Sequence, residues 1–304
     1  MLYQLASQVS GILMCPQCQH SLQQTHGGAK CGGCGLQYRY MNSGALDLRL
    51  QKPQKYSLEF ELGLPLLQYP DCVFAPLLPN PMPQVDYSGM ATPNHLSGTM
   101  LSHFPRAEGT SSLALDLGCG DAVHRDVCER AGFHYVGLDY ESPSAQILGD
   151  AHSLPFCDNS FEFILSTAVL EHIQFPFVMV KEAFRVLVPH GKFIGTVAFL
   201  QPFHSRSFYH HTHLGLLNTL QYGGFTVEHI VPSATYSVFV AQARMTNPFP
   251  GMPKSLSRCL VVLPHVLSNV WWTIGRLANR GVTRHSHVLS TTGALTFMCR
   301  KPGD

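Results

Sequence analysis

The stretch that decides the fold is SLALDLGCGD, residues 112–121. Its apolar run is interrupted only by Asp116 and stops at Gly118-Cys119-Gly120, so a buried strand enters a glycine turn. DAVHRDVCERAG (121–132) then reads as an amphipathic helix ended by Gly132, and YVGLDY (135–140) as a second strand closing on Asp139. The alternation continues with a short strand near 146–148, FEFILS (161–166), and a helical stretch through FVMVKEAFRVL (177–187). KFIGTVAF (192–199) is a strand, 212–222 a helix, and FTVEHIV (225–231) and ALTFMCR (294–300) are strands again. Strands alternating with helices require parallel β-α-β units with right-handed crossovers, which makes the expected class α/β with a doubly wound, mainly parallel sheet. About sixty residues, 232–292, separate the last two strands, too many for a hairpin loop.

Ahead of the sheet the texture is different. Residues 1–50 contain Cys15-Pro-Gln-Cys18 and Cys31-Gly-Gly-Cys34-Gly35, two cysteine pairs at knuckle spacing. Such pairs can place four thiolates around one zinc ion, and with no open position the site would be structural. QYRYMNSGALDL then reads as the hairpin that closes a small zinc ribbon. Residues 51–108 are Pro-rich, which precludes long helices and suggests a connector packed on the domain that follows, 109–304.

Composition narrows the class of protein. With 45% apolar and 13% charged residues in 304, the chain can bury a sizeable core. The net charge of +1 argues against a nucleic-acid partner, although a local basic patch remains compatible with it. The N-terminus lacks the pattern of a secretory leader, so the ten cysteines are expected reduced in a cytoplasmic setting, as metal ligands sooner than disulfides. The apolar stretch 259–275 is interrupted by Pro264, His265, Ser268 and Asn269 and falls short of a membrane span.

A glycine turn after one strand and an acidic residue at the end of the next mark a site for a ribose-bearing cofactor. A nicotinamide fingerprint would need a third glycine where Val123 stands, and Asp121 in the turn argues against a pyrophosphate. ALDLGCGDAVHRD, YVGLDY, GDAHSLPFCDNSFEFILSTAVLEHI and KEAFRVLVPHGKF, in this order, resemble the motifs of class I S-adenosylmethionine-dependent methyltransferases, in the group related to quinone-biosynthesis C-methyltransferases. The resemblance spans about 111–231 and implies a Rossmann-like sheet of seven strands. It further implies that Asp116, Gly118 and Gly120 line the methionine part of S-adenosylmethionine, that Asp139 holds the ribose, and that Asp150 and Ala151 frame the adenine. Two positions depart from the pattern: Ala122 replaces the third small residue of the turn, and Pro189-His190-Gly191 stands where Pro-Gly-Gly is usual.

The acceptor side is less defined. His204, His210, His211 and His213 follow the strand at 192–199 and are candidates for a general base, a metal site, or solvated and capping residues. The resemblance places Leu170-Glu171-His172 near the methyl group, with Glu171 and His172 structural or catalytic candidates. In the long insertion, the segment 256–280 with Trp271 and Trp272 reads as a packed helical lid or as an interfacial helix making peripheral membrane contact. These features suggest methyl transfer to a small-molecule, sugar or lipid-linked acceptor, most simply at oxygen. The alternatives are an RNA base methyltransferase with a zinc-finger substrate module, and a noncatalytic cofactor-binding partner module.

Overall fold

The computed structural model describes residues 7–60, 71–202, 206–233, 236–245, 249–278, 281 and 283–303. Helix α1 (Ser7–Ser10) precedes a three-stranded antiparallel sheet, β1 (Leu22–Thr25), β2 (Gly28–Cys31) and β3 (Gln37–Arg39), and a short strand β4 (Leu46–Asp47). Among its described residues the connector holds little regular structure beyond a 3-10 turn (Asp71–Phe74) and α2 (Gly98–Leu101), in keeping with its prolines. Next come β5 (Leu113–Leu117), α3 (Arg125–Arg130), β6 (His134–Asp139), β7 (Ile147–Leu148), β8 (Phe161–Thr167), α4 (Pro176–Val186), β9 (Leu187–Ala198), α5 (His213–Gly223) and β10 (Thr226–Pro232). The insertion is helical, with α6 (Val238–Met245), α7 (Lys254–Leu277) and α8 (Arg284–Thr291), and β11 (Ala294–Arg300) returns to the sheet.

The main sheet runs β10-β11-β9-β8-β5-β6-β7-β4, parallel from β9 to β4, with β11 antiparallel to β9 and to β10. All seven expected strands are there, and β4 adds an eighth by pairing Leu46 and Asp47 with Ile147 and Leu148. β5 is buried along its whole length, as a central parallel strand covered on both faces must be. One core layer joins Leu115, Leu117, Phe161, Phe193 and Phe297 to α4 and α5, and the other joins Ala114, Phe133 and Phe163 to Val85, Met100, Leu101 and Phe104 of the connector. The connector therefore completes the second face, burying about 2 kcal/mol of apolar surface for each large side chain.

Sequence order reverses at β5, with β6 and β7 on one side and β8 and β9 on the other. That switch point opens a crevice at the carboxyl ends of the strands. The expected helix over 121–132 is shorter than its pattern, because residues 118–122 are committed to the turn and Ala122 sits at φ 55°.

Candidate active site

The turn after β5 is tied to the neighbouring strand by backbone bonds from Gly118 and Cys119 to the Leu138 carbonyl, at 2.8 and 3.0 Å. Gly118 has φ 79°, and a Cβ there would meet Val169 Cγ2 at 2.4 Å, so the glycine is needed for packing against the segment after β8 as well as for conformation. Gly120, at φ 50°, is different: a Cβ there would meet nothing within 4 Å, leaving the space over the turn free for a ligand. Gly120 N–H donates to Asp139 Oδ2 at 3.0 Å, while Glu141 and Ser142 N–H donate to Oδ1 at 3.0 and 2.9 Å. Asp139 is therefore aimed by its own backbone, with Oδ2 keeping capacity for another donor.

Asp116 lies beneath the turn, fully buried, and accepts the Tyr135 hydroxyl at 2.9 Å. His124 stands 3.5 Å away and directs Nε2 at the Asn94 carbonyl. Burial opposes charging His124, but the Asp116 carboxylate outweighs it and the pKa is raised. Asp116 thus supports the turn from below.

Beyond β7, Asp150 Oδ1 accepts from the His152 amide at 2.9 Å and lies 2.6 Å from His152 Nδ1. His152 Nε2 accepts the Phe175 amide, so Nδ1 carries the proton. Burial alone would raise the Asp150 pKa, yet the His152 bonds prevail and hold it below the ordinary value. Ala151 adjoins it, half-buried. The loop that follows is clamped by Glu182 and Arg185 of α4: Glu182 accepts from Leu154 N–H at 2.8 Å, and Arg185 donates to the Leu154 and Phe156 carbonyls.

The cysteine module docks on the same loop, through Met14 N–H to Pro155 O, Cys157 N–H to Ile12 O and Ser153 Oγ to Pro16 O. Cys15, Cys18, Cys31 and Cys34 bring their sulfurs within 4.8 Å of one another, with 3.7 Å between Cys15 and Cys34 and 3.4 Å between Cys18 and Cys31. Tetrahedral zinc with ~2.3 Å Zn–S bonds needs edges of ~3.8 Å, which the cluster approaches. Gly33 and Cys34 amides point at Cys31 Sγ, as they would toward a thiolate. Between this module and the end of β6 lies a cleft of about 620 Å³ lined by Gln37, Arg39, Asp47, Arg49, Gln51 and Tyr140.

Of the candidate histidines, His204 lies outside the described residues, and the rest differ in burial and contacts. His213 starts α5 with its ring 5.2 Å from Phe74, His210 is exposed, and His172 Nδ1 sits 3.1 Å from the Arg206 carbonyl. His211 alone is buried, which lowers its pKa to about 4, and its amide donates to the Ala198 carbonyl at the end of β9. Among the described residues, the only group of three or more potential metal ligands is the cysteine cluster.

Glu171, which the resemblance places with His172 near the methyl group, is the unusual group here. It is 1% exposed, and neither carboxylate oxygen has a hydrogen-bond partner among the described residues. The backbone at Glu171 and Ala198 favours its charged form, but burial dominates and pushes the pKa up to about 7. Its carbonyl accepts from both Phe208 and Tyr209, so the segment after β9 folds back over it. The sequence leaves Glu171 open between a structural and a catalytic role; its burial comes from the tertiary fold.

A methyltransferase-domain family profile matches residues 115–195, from the glycine turn to β9. The matched segment is the part of the chain that forms β5 to β9 of the Rossmann-like sheet, so fold and profile agree on a methyltransferase-type domain there. A Mycolicibacterium smegmatis protein named "Probable S-adenosylmethionine-dependent methyltransferase" is 29% identical over 136 residues, 38% of this chain and 52% of its own. The human "Probable tRNA methyltransferase 9B" is 34% identical over 101 residues, covering 29% and 22% of the two chains. An "Uncharacterized methyltransferase" of Mycobacterium sp. (strain KMS) is 34% identical over 88 residues, covering 25% and 35%. The chain thus spans about half the length of the first of these curated relatives and less of the others. Haemonchus contortus phosphoethanolamine N-methyltransferase 2, solved with S-adenosyl-L-methionine, overlays with a TM-score of 0.39 at 18% identity over 65% of this chain and 50% of its own, too loosely to bear on function.

Proposed function

We propose that this protein transfers a methyl group from S-adenosylmethionine to a small-molecule, sugar or lipid-linked acceptor, at a hydroxyl oxygen, with Glu171 receiving the acceptor's proton. The observation that carries this reading is a buried carboxyl in the turn after β8, with no hydrogen-bond partner among the described residues, its pKa pushed up to about 7 by burial, and roofed by Phe208 and Tyr209. A base is most effective when its pKa lies near the working pH.

The donor half suits an adenosyl and methionyl ligand. Gly120 leaves room over the turn, Asp139 presents an aimed carboxylate to ribose hydroxyls, and Asp150 with Ala151 borders the adenine position. When bound, S-adenosylmethionine supplies an electrophilic methyl on a sulfonium. The chain's own work is to align the acceptor oxygen, keep water out through the 206–211 segment, and hold the released proton on Glu171. His211, neutral by burial, would serve as a hydrogen-bonding wall and not as a base. The four cysteines would hold one structural zinc, bracing the loop beside Asp150.

A second reading, RNA methylation, is favoured by one feature, the cleft where Arg39, Arg49 and Tyr140 adjoin the ribose end. Measuring S-adenosylhomocysteine release against fractionated metabolites, lipids and RNA separates the readings. Turnover confined to RNA overturns the first, and tight donor binding with no release from any fraction indicates the noncatalytic module. Freshly purified reduced protein should contain one zinc per chain; metal-free protein with an intact ribbon would remove the zinc assignment.

A further inference from the structure

Helix α7 is oriented the wrong way round for a helix that covers a soluble core. Leu256, Leu260, Leu263, Leu267, Trp271 and Ile274 recur at spacings of three and four, forming one continuous stripe along about 27 Å of helix. All six are open to solvent, Trp271 at 73%. The residues turned toward the protein are instead Ser257, Val261, His265, Asn269 and Trp272, the last stacked on His287 of α8 at 4.8 Å. An unpartnered apolar stripe of this length, in a helix that is not long and apolar enough to cross a membrane, needs an external apolar phase.

Charge indicates which one. Residues 233–293 carry Arg244, Lys254, Arg258, Arg276, Arg280 and Arg284 and no Asp or Glu, so the rest of the chain is net negative. A cationic, acid-free segment around an apolar stripe with an exposed Trp complements an anionic lipid surface. A second copy of the same segment would bring like charges together. We infer that α7 lies in the interface of an anionic bilayer, with the Leu256-to-Ile274 stripe in the acyl boundary.

The insertion is rooted at the site. Ser233 N–H bonds to Ala294 O, Ser237 bridges Thr292, and Ala294 pairs with Ala198 at the carboxyl end of β9. Docking through α7 therefore brings the acceptor edge of the sheet to the membrane surface, and it stands whether or not methyl transfer is the activity.

The test uses the full chain and vesicles of phosphatidylcholine with and without about one third phosphatidylglycerol. The only two tryptophans are in α7, so Trp272→Phe leaves Trp271 as a lone reporter. The expected result is co-sedimentation with the anionic vesicles, a blue-shifted Trp271 emission protected from acrylamide, and binding at least ten-fold weaker for Leu263→Glu/Leu267→Glu. Circular dichroism and donor affinity confirm that the variant folds. Absence of vesicle binding, or unchanged binding by the Glu variant, overturns the inference. So does a concentration-dependent dimer in ultracentrifugation that Leu267→Glu dissolves while vesicles bind nothing.

Discussion

Asp150 and Glu171 sit on opposite halves of one sheet edge and are treated in opposite ways. Asp150 follows β7 and is partly open, with an amide and an imidazole N–H on one oxygen, so its charge is stabilised. Glu171 follows β8 and is buried, with no hydrogen-bond partner for its carboxylate among the described residues, and burial outweighs the nearby backbone in resisting its charge. On the Asp150 side the carboxylates are already held by amide donors, which in the proposed function readies them for a ligand with hydroxyls and an amine. The acceptor half stores an unsatisfied group, a cost that a fold tolerates where chemistry uses it.

The sharpest way to break this contrast is Glu171→Gln. If the carboxylate takes the acceptor's proton, turnover should fall by about 10²–10⁴-fold while donor affinity measured by calorimetry stays unchanged. In the unaltered protein kcat/KM should rise with pH through about 7, and that rise should vanish in the variant. Equal loss of donor binding would show instead that Glu171 holds the turn region together.

The same variant makes a stability prediction of opposite sign. Folding raises the Glu171 pKa from 4.5 to about 7, so the folded state holds this proton more tightly than the unfolded chain. The stability contribution is complete below pH 4.5 and is lost as pH rises through about 7, a total of about 3 kcal/mol. Glu171→Gln should therefore unfold at higher denaturant than the parent at pH 8, with little difference at pH 4. A destabilised variant at pH 8 would mean that Glu171 has a structural partner after all.

Local sequence carries the donor half because its parts lie close together along the chain. Gly118, Gly120 and Asp139 are three markers on one β-α-β unit, and both the strands and the turn follow from them. Asp116 was legible as part of the motif but not as a buried support, since that depends on Tyr135 and His124 arriving from other elements. The acceptor half depends on long-range packing: nothing in LEH says that residues 208 and 209 will close over it. The histidine series looked like a cluster in sequence, but among the described residues it forms no metal-binding group, and only His211 turns inward toward β9. The joining of β4 to the main sheet was equally hidden, a two-residue strand being too short to carry a period.

A smaller effect sharpens the donor side. Asp139→Ala removes the acceptor of three backbone amides as well as the carboxylate offered to the ribose. Hydrogen bonds to a charged group contribute about 1.5–3 kcal/mol, so donor affinity should drop roughly ten-fold to a hundred-fold. Calorimetry with S-adenosylmethionine checks this, and unchanged affinity would place the ribose elsewhere.

The smallest effect tests whether Asp150 is the mirror of Glu171. Its folded pKa lies below the ordinary value, so its contribution is present above the unfolded pKa near 4 and is lost as pH falls through the depressed folded value. Asp150→Asn keeps an acceptor for the His152 amide but loses the charge that orients the imidazole, at a cost of about 1 kcal/mol at neutral pH. Denaturation at pH 7 and at pH 3 should show the variant weaker in the first and nearly level with the parent in the second. A variant that tracks the parent at pH 7 would mean that His152 is held by Phe175 alone, and the two carboxylates would then differ only in burial.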